Sequence, residues 1–482
     1  MSNDYNVIIL GSGPAGFTCA IQSSKFDKKV LIVESNEHCL GGTWINTGTV
    51  PSKALREAAN NIFKYNAQFG DISGRKPYER FRMRDVLKYK DHVLANENSE
   101  IKDNLIKNEV DTALGFGVII DPHTVEVRRE DGATQKFTSD FILIATGGHT
   151  TLPKSFTVDH KTILDNHSIL NIDYIPKRLV IVGANVQAIE FATIFSALGT
   201  NVSILNGEED YFAFLDVEVK KEFDSILNQL RIKFFKHSEV VQIGPNPLRN
   251  CTEVKFQDKN SGKMQVIETE QALYFGERKP NTKKIGLKNV GVKTDSKGFI
   301  KVDQNYQTHV PSIYAAGDVI GYPGFASVSF TQGRAASCNM FDASSRETDS
   351  GIPFGIYSIP EIASIGLTEA EAMKQDQNIT VGRAYYSNLT KANIAKNQNG
   401  ILKLVFETST LKLLGVHIVG EGACDLIHIG QSVINFHGDI RYFLDTVINY
   451  PTYSEAYRVA AFNGINRAYK SGVKYHKLLK RK

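Results

Sequence analysis

Tyr5-Asn6-Val7-Ile8-Ile9-Leu10-Gly11-Ser12-Gly13-Pro14-Ala15-Gly16 is the stretch that decides the fold class. The apolar, β-branched run up to Leu10 reads as a buried strand. Glycines spaced G-x-G-x-x-G follow at once, then a helical stretch from Phe17 to Lys25, and a second strand, Lys29 to Val33, that ends in Glu34. These are the parts of a dinucleotide-binding βαβ unit in their proper order. Gly11 allows a tight turn, Gly13 lets the backbone approach a pyrophosphate, and Gly16 lets the helix pack closely on the strand. The phosphates then face free N–H groups and the positive end of the helix dipole. Glu34 can accept hydrogen bonds from an adenosine ribose.

The pattern returns further along. Leu179 to Val182 reads as a strand, Gly183-Ala184-Asn185-Val186-Gln187-Ala188 as its loop and helix start, and Asn201 to Leu205 as the second strand, followed by Asn206. The duplication implies two nucleotide-type domains, one nested in the other, joined by a linker around Thr150 to Pro176. Phe141 to Ala145, closed by Thr146-Gly147-Gly148, reads as a further buried strand. The chain returns to the first domain at Gln271 to Asn281 and at Ile313 to Asp318. From about Gly351 strands alternate (Val381 to Tyr386, Leu402 to Glu407, Leu413 to Val419) with helical stretches near Asp425 to Phe436 and Ser454 to Lys470. The expected fold is α/β: two nested Rossmann-like dinucleotide-binding domains plus an α+β C-terminal domain. The boundaries fall at 1–150 and 274–350 for the first domain, 151–273 for the second and 351–482 for the last.

Composition narrows the function. The 482 residues are about three domains' worth by the usual size prior. A net charge of +4 is too weak to indicate a nucleic-acid partner, and no apolar run approaches the ~20 residues of a membrane span. Without a basic and then apolar leader, a cytoplasmic setting is expected. Cys19, Cys39, Cys251, Cys338 and Cys424 form no C-x-x-C or C-x4-C pair, so they read as reduced, buried small hydrophobes, and no metal is expected. The basic tail, Lys474 to Lys482, reads as solvated, with a weak contact to an anionic surface as the alternative.

Leu40-Gly41-Gly42-Thr43-Trp44-Ile45-Asn46-Thr47-Gly48-Thr49-Val50-Pro51-Ser52-Lys53 resembles the redox-active segment of the flavoprotein disulfide reductases. That family, which includes lipoamide dehydrogenase, glutathione reductase and mercuric reductase, carries C-x4-C followed by I-P-S-K. The likeness runs from about residue 4 to 470. It is strongest to the subgroup of soluble pyridine nucleotide transhydrogenases, on Thr49, Phe214-Leu215-Asp216, Gly317 to Pro323, Ile427 to Gln431, Asn449-Tyr450-Pro451-Thr452 and Glu455 to Ala461. The resemblance implies bound FAD, NAD(H) and NADP(H) as substrates, and a homodimer built through the C-terminal domain. It places Gly42, Thr43, Thr146, Gly147, Gly317 and Asp318 at the flavin. It puts Lys53 beside flavin N5, and Glu190 as its partner and the orienter of the nicotinamide carboxamide. In the family the segment matching Tyr450 to Glu455 completes the flavin site of the opposite subunit.

The departures are as informative. Trp44 and Thr49 stand where the family has its two cysteines, and Tyr450 where it has its acid/base histidine, with Glu455 still at the partner position. In the second loop only Gly183 survives of three glycines, and Asn185 puts a side chain where the backbone should meet a pyrophosphate. Asn206 and the acids Glu208, Glu209 and Asp210 include no cation to pair with a 2′-phosphate, so NADH is expected to be preferred over NADPH. What remains is hydride exchange at flavin, a reaction that needs ring placement rather than acid/base groups. The expectation is an FAD-dependent, transhydrogenase-like oxidoreductase without the redox-active disulfide. The alternative is an FAD-holding protein with a decayed nicotinamide site and a binding or regulatory role. A dihydrolipoamide dehydrogenase fits less well, because it fails at Trp44, Thr49 and Tyr450 together.

Overall fold

The computed structural model describes residues 3–36, 39–73, 81–153, 155–249, 251–343, 351–375 and 378–470. The basic tail lies outside the described residues. The chain divides into two compact units. One is Met1–Ala54, Leu87–Lys154 and Gly276–Glu347; the other is Leu55–Val86, Ser155–Phe275 and Thr348–Lys482.

The first unit is built on a parallel sheet in the order Asp111–Leu114, Val30–Glu34, Tyr5–Leu10, Thr134–Ile144, Ile313–Ala315. Its inner strands are apolar on both faces because both faces are covered, whereas the edge strand Asp111–Leu114 is largely exposed. Val7 and Ile9 join one core with Cys19 and Ala20, while Ile8 and Leu10 join the opposite core with Ile119 and Val125. The helix expected from Phe17 begins earlier and runs Pro14–Ser24. Proline suits this first position because its missing N–H would have had no partner there. The strand expected over Phe141 to Ala145 is the inner end of a longer one, Thr134–Ile144. Its outer half, Thr-Gln-Lys-Phe-Thr, is polar and pairs antiparallel with Thr124–Arg128, so no apolar run marks it.

The second unit holds a smaller parallel sheet in the order Lys233–Phe235, Asn201–Leu205, Arg178–Val182, Gln271–Tyr274, Ile163–Leu164, with helix Val186–Ala197 after its central strand. Gln271–Tyr274 therefore belongs to this sheet, beside Arg178–Val182, and the return to the first unit expected at Gln271 comes only at Gly276. Beside it lies an antiparallel sheet of Ser238–Asn246, Cys251–Asp258 and Met264–Thr269. The C-terminal sheet is antiparallel in the order Phe354–Ile356, Glu361–Gly366, Leu413–Gly420, Ile401–Glu407, Ile379–Tyr385. Helices Ala423–Asn435 and Glu455–Lys470 contribute to its core, around Tyr386, Phe406 and Tyr457. The strands and helices expected in this region occur within two residues of their expected bounds.

A buried charged cluster sits inside the second unit. Lys403, 1% exposed in strand Ile401–Glu407, reaches Asp216 at 2.9 and 3.0 Å, Glu218 at 2.7 Å and Glu369 at 2.5 Å. Burial alone would lower the ammonium's pKa, but the carboxylates raise it above the ordinary value. Next to it His417 is fully buried. Its Nε2 meets the Leu367 carbonyl at 2.9 Å, and its Nδ1 has no hydrogen-bond partner. Burial pushes its pKa down, so the ring is neutral with the proton on Nε2.

Candidate active site

Gly11 and Gly183 repeat the same turn, with φ of 102° and 104°, angles that glycine alone adopts freely. The two loops then diverge. Gly13 is the N-cap of helix Pro14–Ser24, with φ −61° and ψ −178° and no side-chain cap. Nothing lies within 4 Å of where its Cβ would be, so the first helix presents an open, uncapped N-terminus. Gly16 is needed for packing, because a Cβ there would lie 2.0 Å from the Gly11 carbonyl oxygen. Glu34 reaches back to the same loop, where its carboxylate accepts from the Ser12 N–H at 3.0 Å and the Ser12 hydroxyl at 2.6 Å.

The segment that departs from the family lies against this loop. The Gly41 N–H donates to Ser12 Oγ at 3.0 Å, and a Cβ on Gly42 would come within 3.1 Å of Gly13 Cα. Short helix Gly42–Asn46 carries the exposed Thr43 and the half-buried Trp44. Trp44 does not project as a reactive side chain. It packs edge-on to Phe330, with ring centroids 4.8 Å apart, and tilted to Phe17 at 6.2 Å. Thr49 and Lys53, both half-buried, follow at i and i+4 on one face of helix Thr49–Ser73. All five cysteines are free. Cys19, Cys338 and Cys424 are buried as expected, whereas Cys39 and Cys251 are only half-buried.

Thr146 and Gly147 follow strand Thr134–Ile144, with Thr146 Oγ1 donating to the Asn281 carbonyl at 2.9 Å. The Gly317 N–H donates to Gln332 Oε1 at 2.8 Å, and the Asp318 carboxylate pairs with Arg278. Burial raises the Asp318 carboxyl's pKa and Arg278 opposes it. Phe17, Phe330, Gln332 and Arg278 went unnoticed in the sequence, because each acts through a partner distant along the chain.

In the second unit Asn185 is the N-cap of helix Val186–Ala197, and its Oδ1 accepts from the Ala188 N–H at 2.9 Å. Its φ of −70° and ψ of 177° are ordinary extended values close to those of Gly13. What asparagine adds at this position is its capping amide. Glu190, on the same helix, is 4% exposed and accepts from the Tyr357 N–H at 2.9 Å. Asn206 is buried, and its amide nitrogen donates to the carbonyls of Glu208 and Asp210, so it braces its own loop. Tyr450 is exposed and its hydroxyl meets Thr390 Oγ1 at 2.6 Å; Glu455 begins helix Glu455–Lys470.

The pyridine nucleotide-disulphide oxidoreductase model matches residues 5–333, and that family's dimerisation-domain model matches residues 352–461. The chain belongs to the pyridine nucleotide-disulphide oxidoreductase family. Among its relatives, the soluble pyridine nucleotide transhydrogenase of Pseudomonas aeruginosa (strain LESB58) is 37% identical over 471 residues, which cover 97% of this chain and 99% of the relative. The protein of the same name from Mycobacterium bovis (strain BCG / Pasteur 1173P2) is 38% identical over 467 residues, 96% and 98% of the two chains. Two solved structures share the fold at 22% identity. LpdA from Mycobacterium tuberculosis has a TM-score of 0.86, covering 95% of this chain and 99% of its own. The HOCl-induced flavoprotein disulfide reductase RclA from Escherichia coli has 0.84, over 95% and 99%. The first-unit site of this family member fits an FAD: an open Gly13 at an uncapped helix start, where a pyrophosphate can approach, and the carboxylates of Glu34 and Asp318.

Proposed function

We propose that the protein is an FAD-dependent homodimeric oxidoreductase that moves hydride between nicotinamide dinucleotides, NADH and NADPH among them, without a redox-active thiol pair. The observation that carries this reading is Trp44, at the first cysteine position of the family segment and packed against Phe330 and Phe17. Full-length similarity to proteins named soluble pyridine nucleotide transhydrogenase supports it. Residues 1–150 and 274–350 hold FAD, 151–273 hold the nicotinamide dinucleotide, and 351–482 pair two copies.

FAD, when bound, supplies reversible hydride acceptance. Gly11, Gly13 and Gly16 shape the cradle for its pyrophosphate, Glu34 binds its adenosine ribose, and Gly42, Thr43, Thr146, Gly147, Gly317 and Asp318 border the rest. Lys53 supplies positive charge at the reacting end of the ring. Glu190, held rigid by the Tyr357 N–H, orients the carboxamide of the nicotinamide. Thr49 offers a hydroxyl but no electrons. Tyr450 and Glu455 border the active site of the partner copy, and Tyr450 cannot serve as an imidazole base. Phe436, Tyr442, Val447 and Tyr450 all expose large apolar side chains in the matched dimerisation domain, a surface suited to a second copy. Among the described residues no helix is long and apolar enough to cross a membrane. The proposed place of work is the cytoplasm.

The Asn185 cap favours a second reading, an FAD-holding protein with a closed nicotinamide site. Anaerobic mixing distinguishes the two. The purified protein carries FAD, NADH bleaches it, and an oxidised nicotinamide analogue restores the colour, while lipoamide, glutathione disulfide and mercuric ion do not. A flavin that no nicotinamide dinucleotide bleaches establishes the second reading.

A further inference from the structure

The position after the second strand of a Rossmann unit decides whether the adenosine 2′-hydroxyl or a 2′-phosphate is accepted. Here it opens the loop Asn206-Gly207-Glu208-Glu209-Asp210, which is purely acidic in sequence. The fold surrounds it with lysines and a histidine from elsewhere. Lys236 and His237 follow the neighbouring strand Lys233–Phe235. Lys236 Nζ lies 3.1 Å from Glu209 Oε1, and His237 Nε2 pairs with Glu209 Oε2. Lys259, from the turn after strand Cys251–Asp258, donates to the Gly207 carbonyl at 3.1 Å. Lys220 takes up Asp210 at 2.8 Å. Backbone hydrogen bonds fix these segments together: the Ser238 N–H to the Asn206 carbonyl at 2.8 Å, the His237 N–H to Glu208 at 3.3 Å and the Lys259 N–H to His237 at 2.8 Å. The acidity of the loop is thus largely answered within the fold.

We propose that Lys236, His237 and Lys259 form a receptor for the 2′-phosphate of a dinucleotide, with the Glu209 carboxylate holding the phosphate's place until it arrives. Glu209 spreads its two oxygens over two donors, as one edge of a phosphate would. Its side chain is 67% exposed, so it can turn into water when displaced. A phosphomonoester brings more charge and a third oxygen, which Lys259 is placed to meet. With no phosphate present, Glu209 accepts a hydrogen bond from a free 2′-hydroxyl. One exchangeable carboxylate lets a single site take both dinucleotides, as hydride exchange between them requires. The proposal rests on that proposed function and replaces the NADH preference read from the loop alone.

The test is calorimetric titration of the FAD-loaded protein with adenosine 5′-monophosphate and adenosine 2′,5′-bisphosphate, which differ only in the 2′-phosphate. The bisphosphate binds roughly tenfold tighter, the worth of two or three partly exposed charge contacts. Lys236→Gln with Lys259→Gln removes that advantage, whereas Glu209→Gln enlarges it. Equal binding of the two nucleotides, or an advantage that survives the double substitution, overturns the receptor while leaving hydride transfer standing. Binding of neither nucleotide overturns both the receptor and the proposed function, because the second dinucleotide fold is then closed.

Discussion

Replacing Asn185 by glycine isolates the one side chain that separates the second nucleotide loop from the first. The backbone needs no adjustment, since Asn185 and Gly13 have nearly the same angles. What changes is the helix start. The Asn185 amide occupies it and takes up the Ala188 N–H, one of the helix-start donors that an anion would otherwise find free. An arriving pyrophosphate must break that cap, worth about 1 kcal/mol, and displace the amide. Asn185→Gly removes both obstacles and leaves an N-cap only a few tenths of a kcal/mol weaker. The binding gain is then about 1–2 kcal/mol, or roughly five- to thirtyfold in Kd, equal for NADH and NADPH because they share the pyrophosphate. Asn185→Asp keeps the cap but sets a carboxylate against the phosphates, so it weakens both at low salt. Calorimetric titration of the FAD-loaded variants measures these changes directly. A glycine variant no tighter than the wild type, or an aspartate variant no weaker, would show that no pyrophosphate approaches this helix.

Lys403→Met leaves the buried Asp216 carboxylate without its cation, and denaturant unfolding should show a loss of ~3–5 kcal/mol, as when one member of a buried ion pair is removed. His417 gives stability a pH dependence. Its pKa is depressed in the fold, so below its ordinary ~6.5 the unfolded chain binds the extra proton. The stabilisation is present above that value and is lost as pH falls, by up to ~1.4 kcal/mol per pH unit. His417→Gln flattens that slope between pH 7.5 and 5.5 in thermal melts, while the loss from Asp216, whose pKa is also held low, belongs to a more acid range. Phe436→Asp with Val447→Asp places charges on the exposed apolar surface of the dimerisation domain, and light scattering should then report a monomer.

The first dinucleotide unit was legible because each of its parts is local: an apolar strand, glycines at fixed spacing, and an acid at the next strand's end. The second was legible for the same reason, despite its lost glycines. The role of Asn185 was half legible. Its position conflicts with a pyrophosphate in any reading, but whether its amide points to solvent or back to Ala188 is settled by the helix it caps. Lys403 in Ile-Leu-Lys-Leu-Val-Phe resembles an alternating strand's exposed residue. It is buried because Asp216, Glu218 and Glu369, far off in sequence, converge on it. The cations around Glu209 escaped notice for the same physical reason. Lys236 and Lys259 come from neighbouring strand ends, and no spacing within one segment records that two ends meet.

The central claim is that flavin is the only redox centre, and the electron capacity of the protein tests it most directly. In an anaerobic titration with dithionite, the FAD-loaded protein should take up about two electrons per flavin, the capacity of the ring alone. Uptake of about four, the sum of a flavin and a two-electron dithiol–disulfide couple, would contradict it by revealing a second couple that Trp44 and Thr49 cannot supply.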